Sequence, residues 1–140
     1  MSDTEKVVKH LEMIQGVINR LGSNSFHLKG WSMTIIVAST VLLDKPDLLS
    51  SYFVLVLLIP ILGFWGLDGY FLWQERLFRE IYKEISQQED TDFKMNVAKH
   101  KNKAKCSWTS ATFSITLIPF YAIEVLITIV AFVYAHYEHL

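Results

Sequence analysis

A chain of 140 residues makes one structural unit rather than several. Half of it is hydrophobic (51%) with a mean hydropathy of +0.28, yet the formal net charge is only −1, which excludes bulk electrostatic attraction to nucleic acid or acidic substrates. Cys106 is the single cysteine, so an intramolecular disulfide is excluded.

The first twenty residues, MSDTEKVVKHLEMIQGVINR, mix acids and bases and lack the pattern of a cleavable signal peptide. Val7, Leu11, Ile14, Ile18 and Leu21 recur at helical spacing, which predicts an amphipathic helix over 1–22. Its stripe suits packing on the chain's own helices, ahead of pairing with a neighbouring subunit or lying on lipid. Gly22-Ser23-Asn24 reads as a stop followed by a cap for the next helix.

A first transmembrane helix is expected over 26–44. Its uninterrupted apolar part runs only from Gly30 to Leu43, so His27, Lys29 and Trp31 fall at the interface of a roughly 30 Å hydrocarbon layer. Asp44-Lys45-Pro46-Asp47 ends the run. A second transmembrane helix is expected over 50–73, kinked at Pro60. Gly63, Gly66 and Gly69 recur every three residues and offer a thin face for close helix packing.

Residues 74–106 read as a cytoplasmic helical segment continuing the second span, with a stripe of Leu77, Phe78, Ile81, Tyr82 and Ile85 and a bend over 87–92. Glu75 and Arg79 form an i,i+4 pair. Lys94, Lys99, Lys101, Lys103 and Lys105 mark a cytoplasmic flank and, secondarily, an anionic-lipid contact over Lys94–Lys105. A third transmembrane helix is expected over 108–135, interrupted by Pro119 and anchored by Trp108, Tyr134 and Tyr137. The fold class is therefore all-α membrane protein: one amphipathic helix, then three spans.

Orientation follows from Lys and Arg. Four precede the first run (Lys6, Lys9, Arg20, Lys29), one lies in the first loop (Lys45), eight lie between the second and third runs, and none follows. The positive-inside rule puts the N-terminus in the cytoplasm and the C-terminus outside.

Two acids lie in apolar sequence. Glu124 falls in the middle of the third run, where a charge costs on the order of 2.5–3.5 kcal/mol, so it should face a bundle interior or a wet path. Thr112, Thr116, Glu124 and Thr128 are spaced by multiples of four and predict a drifting polar ridge. An ion path and a neutral contact between subunits are equally open roles. Asp68 has Arg76 and Arg79 too far along its own helix, so its partner should be Lys29 or another subunit.

The sequence holds no phosphate loop, GxSxG or HExxH motif, and no metal or cofactor set, which points away from an enzyme. Arg20 and His27 match a loose Arg-x-His ribonuclease spacing of the HEPN type, but the pair straddles Gly22 and enters a span, where RNA has poor access.

Two segments, NSFHLKGWSMT (Asn24 to Thr34) and FWGLDGYFLWQERLFREIY (Phe64 to Tyr82), resemble motifs of the RipA-like octameric inner-membrane proteins of bacteria, and distantly those of CRISPR-associated membrane pore proteins. The residues carrying the likeness are Asn24, Phe26, Lys29, Gly30 and Trp31, then Trp65, Asp68, Tyr70, Glu75, Arg76, Arg79 and Tyr82. The resemblance implies a ring of about eight subunits in the inner membrane and a channel in stress response or antiphage defence. The third run with Glu124 has no counterpart in the pattern. The expected function is a homo-oligomeric pore or permeability modulator. A membrane-anchored adaptor for a cytoplasmic protein is the alternative, and a HEPN-like nuclease the third reading.

Overall fold

A computed structural model describes residues 2–42, 56–101 and 106–138, with the side chains of 40–42, 135–136 and 138 excepted. The expected ends of the first two runs, at 44 and 50, together with Lys45, Lys103 and Lys105, lie outside the described residues.

The described chain is all helix with no strand. Helix α1 is Asp3–Leu42, α2 is Leu58–Ile85, a short 3-10 helix covers Val97–His100, α3 is Trp108–Thr112 and α4 is Ile118–Glu138. Ile36 packs on the cluster that holds Ile61, Lys29 pairs with Asp68, and Ile14 and Ile18 share a cluster with Ile81 and Ile85. Numbers rise on α1 as they fall on α2, so the two helices are antiparallel and in contact along most of their length.

The break expected at Gly22-Ser23-Asn24 does not exist. α1 is one helix of 40 residues, about 60 Å long at 1.5 Å per residue. No glycine has a positive φ. Instead of capping, Ser23 offers its carbonyl to His27 Nδ1 at 2.7 Å within the helix. Packing against α2 on both sides of Gly22 outweighs a glycine penalty of about 1 kcal/mol.

One core cluster joins Val7, Ile14 and Ile18 to Ile81 and Ile85, so the apolar stripe of the N-terminal half packs on the polar-flanked half of α2. Each such side chain fully buried stabilises by about 1.5–3 kcal/mol. A second cluster, Ile61, Leu117 and Tyr121, lies at the apolar end.

The segment 74–106 is helical only to Ile85 and again, briefly, from Val97 to His100. Between them, side chains of Thr91, Asp92 and Asn96 accept from backbone N–H groups two residues on, the local turn geometry that competes with helix. Phe93 adopts φ 59°, which a helix excludes.

The third run is two helices, not one. α3 closes at Thr112 and α4 opens at Ile118, because Pro119 lacks an N–H and fits only a first turn. Among the described residues, no helix is long and apolar enough to cross a membrane. The apolar part of α1 ends with the described residues, that of α2 contains Asp68, and α4 contains Pro119 and Glu124.

Candidate functional site

The feature that stands out is a polar layer buried where α1, α2 and α4 meet. Asp68 on α2 is fully buried and accepts from three groups. Ser25 Oγ donates to Oδ1 at 2.5 Å, Lys29 Nζ to Oδ2 at 2.5 Å, and Tyr121 Oη to Oδ2 at 3.1 Å. Lys29 also donates to Ser25 at 2.9 Å, one turn away on α1, and lies 5.9 Å from the centre of the Phe120 ring. The layer thus holds a compensated ion pair tied to a serine and a tyrosine. Trp65 stacks on Tyr121 at 5.9 Å and 10°, fixing the phenol that reaches Asp68.

One turn beyond, Ser32 Oγ on α1 donates to Glu124 Oε2 at 2.5 Å, and Thr128 Oγ1 donates to the Glu124 carbonyl at 2.9 Å. Ser32, Glu124 and Thr128 are all buried. The opposite carboxyl oxygen, Glu124 Oε1, is buried with no hydrogen-bond partner among the described residues.

The drifting threonine ridge is not continuous. The break over 113–117 puts Thr112 on α3 and leaves Thr116 exposed beside Ser114, so only Thr128 shares a buried face with Glu124. The glycine face meets a helix of the same chain. Trp108 Nε1 donates to the Gly66 carbonyl at 3.1 Å, and Gly69 lies against Thr112, whereas a Cβ placed on Gly63 would meet no described residue of another element within 4 Å.

Farther along α2, Glu75 pairs with Arg79 at 2.7 Å and Arg76 donates to Ser110 Oγ at 3.3 Å. Arg20 and His27 are both exposed on α1, two turns apart, and His27 Nδ1 is taken up by Ser23. Of the lysines in the basic stretch, Lys94 pairs with Asp92 at 2.7 Å, Lys99 pairs with Glu84, and Lys101 lies 5.9 Å from the centre of the Trp73 ring. Three of these positive charges are therefore directed inward or at acids rather than displayed together. Among the described residues, no group of His, Cys, Asp and Glu side chains could hold a metal ion.

A second polar cluster pins the segment 86–101 to the helices. His10, fully buried, bonds Thr91 Oγ1 through Nδ1 at 2.6 Å, and Phe93 lies 5.4 Å from its ring. Burial pushes the His10 imidazole below its usual pKa, and Asp92 opposes that shift. His100 Nε2 sits 3.0 Å from Glu84 Oε2. The Lys99 hydrogen bond holds the Glu84 carboxyl below the usual carboxylate range, with His100 adding to the effect.

Ser25, Ser32, Tyr121, His10 and His100 did not stand out from sequence. Ser25 sits one turn before Lys29, and Tyr121 one turn before Glu124, which is the signal that could have marked both. Compared with known proteins, the chain matches no family model, and no curated protein or solved structure shows significant similarity to it.

Proposed function

We propose that the chain is a subunit of a membrane-embedded, helical homo-oligomer that passes ions along the buried polar layer of α1, α2 and α4. The observation that carries this reading is an inverted surface. Large apolar side chains such as Met33, Val37, Leu62, Leu126 and Val130 are more than half exposed, while Asp68, Glu124, Ser32 and Thr128 are buried. Exposed apolar surface of that extent marks a lipid or subunit contact, and ionisable groups inside such a bundle are placed where solute passes or subunits join. Thr34 and Ser39 also turn their hydroxyls back onto the carbonyls of Gly30 and Ile35 within the helix. In the sequence the first apolar run reaches Leu43 and the second begins at Leu48, both positions lying outside the described residues.

The resemblance to ring-forming inner-membrane proteins agrees with self-association, with the N-terminus cytoplasmic. The test is flotation with liposomes, followed by ion flux from vesicles carrying the purified protein. The protein should float, resist alkaline extraction and conduct, and Glu124→Gln should lower flux at least tenfold. A protein that stays in the aqueous fraction, or vesicles that never leak, would sink the proposal.

One observation favours a second reading, the membrane-anchored adaptor. An open groove of 760 Å³, its lining including Gln15, Arg76, Arg79, Glu80, Lys83 and Ser110, lies between the polar halves of α1 and α2 and the start of α3. A soluble acidic partner captured there, without any flux, would replace the first reading.

A further inference from the structure

The two buried acids of the polar layer are in different situations. Asp68 is saturated: Ser25, Lys29 and Tyr121 all donate to it, and Lys29 supplies the counter-charge. Glu124 has one donor. Ser32 Oγ reaches Oε2 at 2.5 Å, while Oε1, on a residue only 4% exposed, has no partner among the described residues. The polar groups around it are already committed. Tyr121 Oη turns to Asp68, Thr128 turns to the Glu124 main chain, and Lys29 turns to Asp68 and Ser25.

Burying a carboxylate oxygen without a donor is costly, and the cost falls away when the group is neutral. A hard cation would satisfy the charge only with a shell of several oxygens. The described surroundings bring to Glu124 a single hydroxyl, that of Ser32. A proton needs one oxygen. We propose that Glu124 is a reversible proton-binding site, Oε1 being the atom that takes the proton. Uptake forms one O–H bond and leaves a neutral acid; release restores the carboxylate, and no other covalent bond changes. The nearest charged and titratable groups of the layer are Tyr121, one turn before Glu124 on its own helix, and Lys29, one turn before Ser32 on α1 and paired with Asp68 of α2.

This deepens the permeation reading by naming the proton as the species carried, and it rests on that reading only for the flux. The binding itself is tested on detergent-solubilised protein by infrared difference spectra between about pH 4 and about pH 9. A carboxylic C=O band should appear at the acid end, vanish in Glu124→Gln and return at a shifted position in Glu124→Asp, with helical content by circular dichroism the same in all three. Absence of a band beyond those of exposed acids, or its persistence in Glu124→Gln, would overturn the site. The second arm encloses a pH-sensitive dye in vesicles containing the protein. Proton entry lost in Glu124→Gln is expected. A Glu124 band with no proton entry keeps the site and removes the permeation reading; proton entry undiminished in Glu124→Gln overturns the assignment of Glu124 as the group that carries the proton.

Discussion

Gly69 and Thr112 approach so closely that no side chain fits between them. A Cβ on Gly69 would stand 2.1 Å from Thr112 Oγ1 and 2.9 Å from Thr112 Cα. The second distance is to backbone, so a rotamer change at Thr112 does not relieve it. Gly69→Ala should therefore separate α3 from α2 at a cost of about 3 kcal/mol, the upper part of the range for overpacking. Gly63→Ala, with nothing within 4 Å, should be neutral or stabilise by about 0.5–1 kcal/mol through helix propensity. Reversible denaturation in detergent by circular dichroism measures both. Equal effects at the two positions would contradict the close crossing.

The Lys29–Asp68 pair is asymmetric in exposure. The Asp68 side chain is fully buried, while that of Lys29 keeps 24% of its surface. Removing the lysine strands a buried carboxylate, so Lys29→Met should destabilise by about 3–5 kcal/mol. Adding Asp68→Asn to that variant removes the stranded charge and leaves one oxygen to accept from Ser25 or Tyr121. The double variant should regain more than half of the loss. Denaturation midpoints of the four proteins form the cycle that reads this, and strict additivity would show that the pair does not act as a unit.

Much of the α1–α2 pairing was legible, because it rests on period and on charge. Val7, Ile14 and Ile18 repeat at helical spacing, as do Leu77, Ile81 and Ile85, and two such stripes have to cover each other. Asp68 lacked a cation within reach on its own helix, which directed attention to Lys29. The uninterrupted passage through Gly22 was hidden, since it depends on contacts made far along the sequence rather than on local propensity. Ser25, Ser32 and Tyr121 were hidden for a related reason: a hydroxyl shows its role only once a carboxylate faces it. The threonine ridge failed because Pro119 splits the helix, and a broken helix loses its register.

The clamp on segment 86–101 should titrate in two steps. His10 is a base whose pKa is lowered from 6.5 by burial, so the unfolded or opened form takes up a proton first. The His10 contribution is full above about pH 6.5 and falls as pH drops below it, by about 1.4 kcal/mol per unit of depression. Glu84, lowered from 4.5 by Lys99, loses its contribution only as pH falls below that value. Amide protection over 86–101, taken relative to the intrinsic exchange rate at each pH, should therefore weaken as pH falls below about 6.5 and again as it falls below about 4.5. His10→Gln should erase the first step and leave the second. A single step surviving in His10→Gln at the higher pH would assign it elsewhere.

Gly22 offers the sharpest test of whether α1 is one helix. In a continuous helix its φ is negative, and a Cβ there would meet only Glu75 Oε2, at 3.9 Å, an ordinary contact. Gly22→Ala should then stabilise by about 0.5–1 kcal/mol, because alanine loses less conformational freedom on entering a helix. Were Gly22 instead the terminal residue of a shorter helix, it would need the left-handed conformation, and alanine would destabilise by about 1 kcal/mol. The two architectures thus predict opposite signs for one methyl group. The denaturation midpoint of Gly22→Ala decides between them, and a rise ties the cluster of Ile14 and Ile81 below Gly22 to the Lys29–Asp68 pair above it through a single rigid rod.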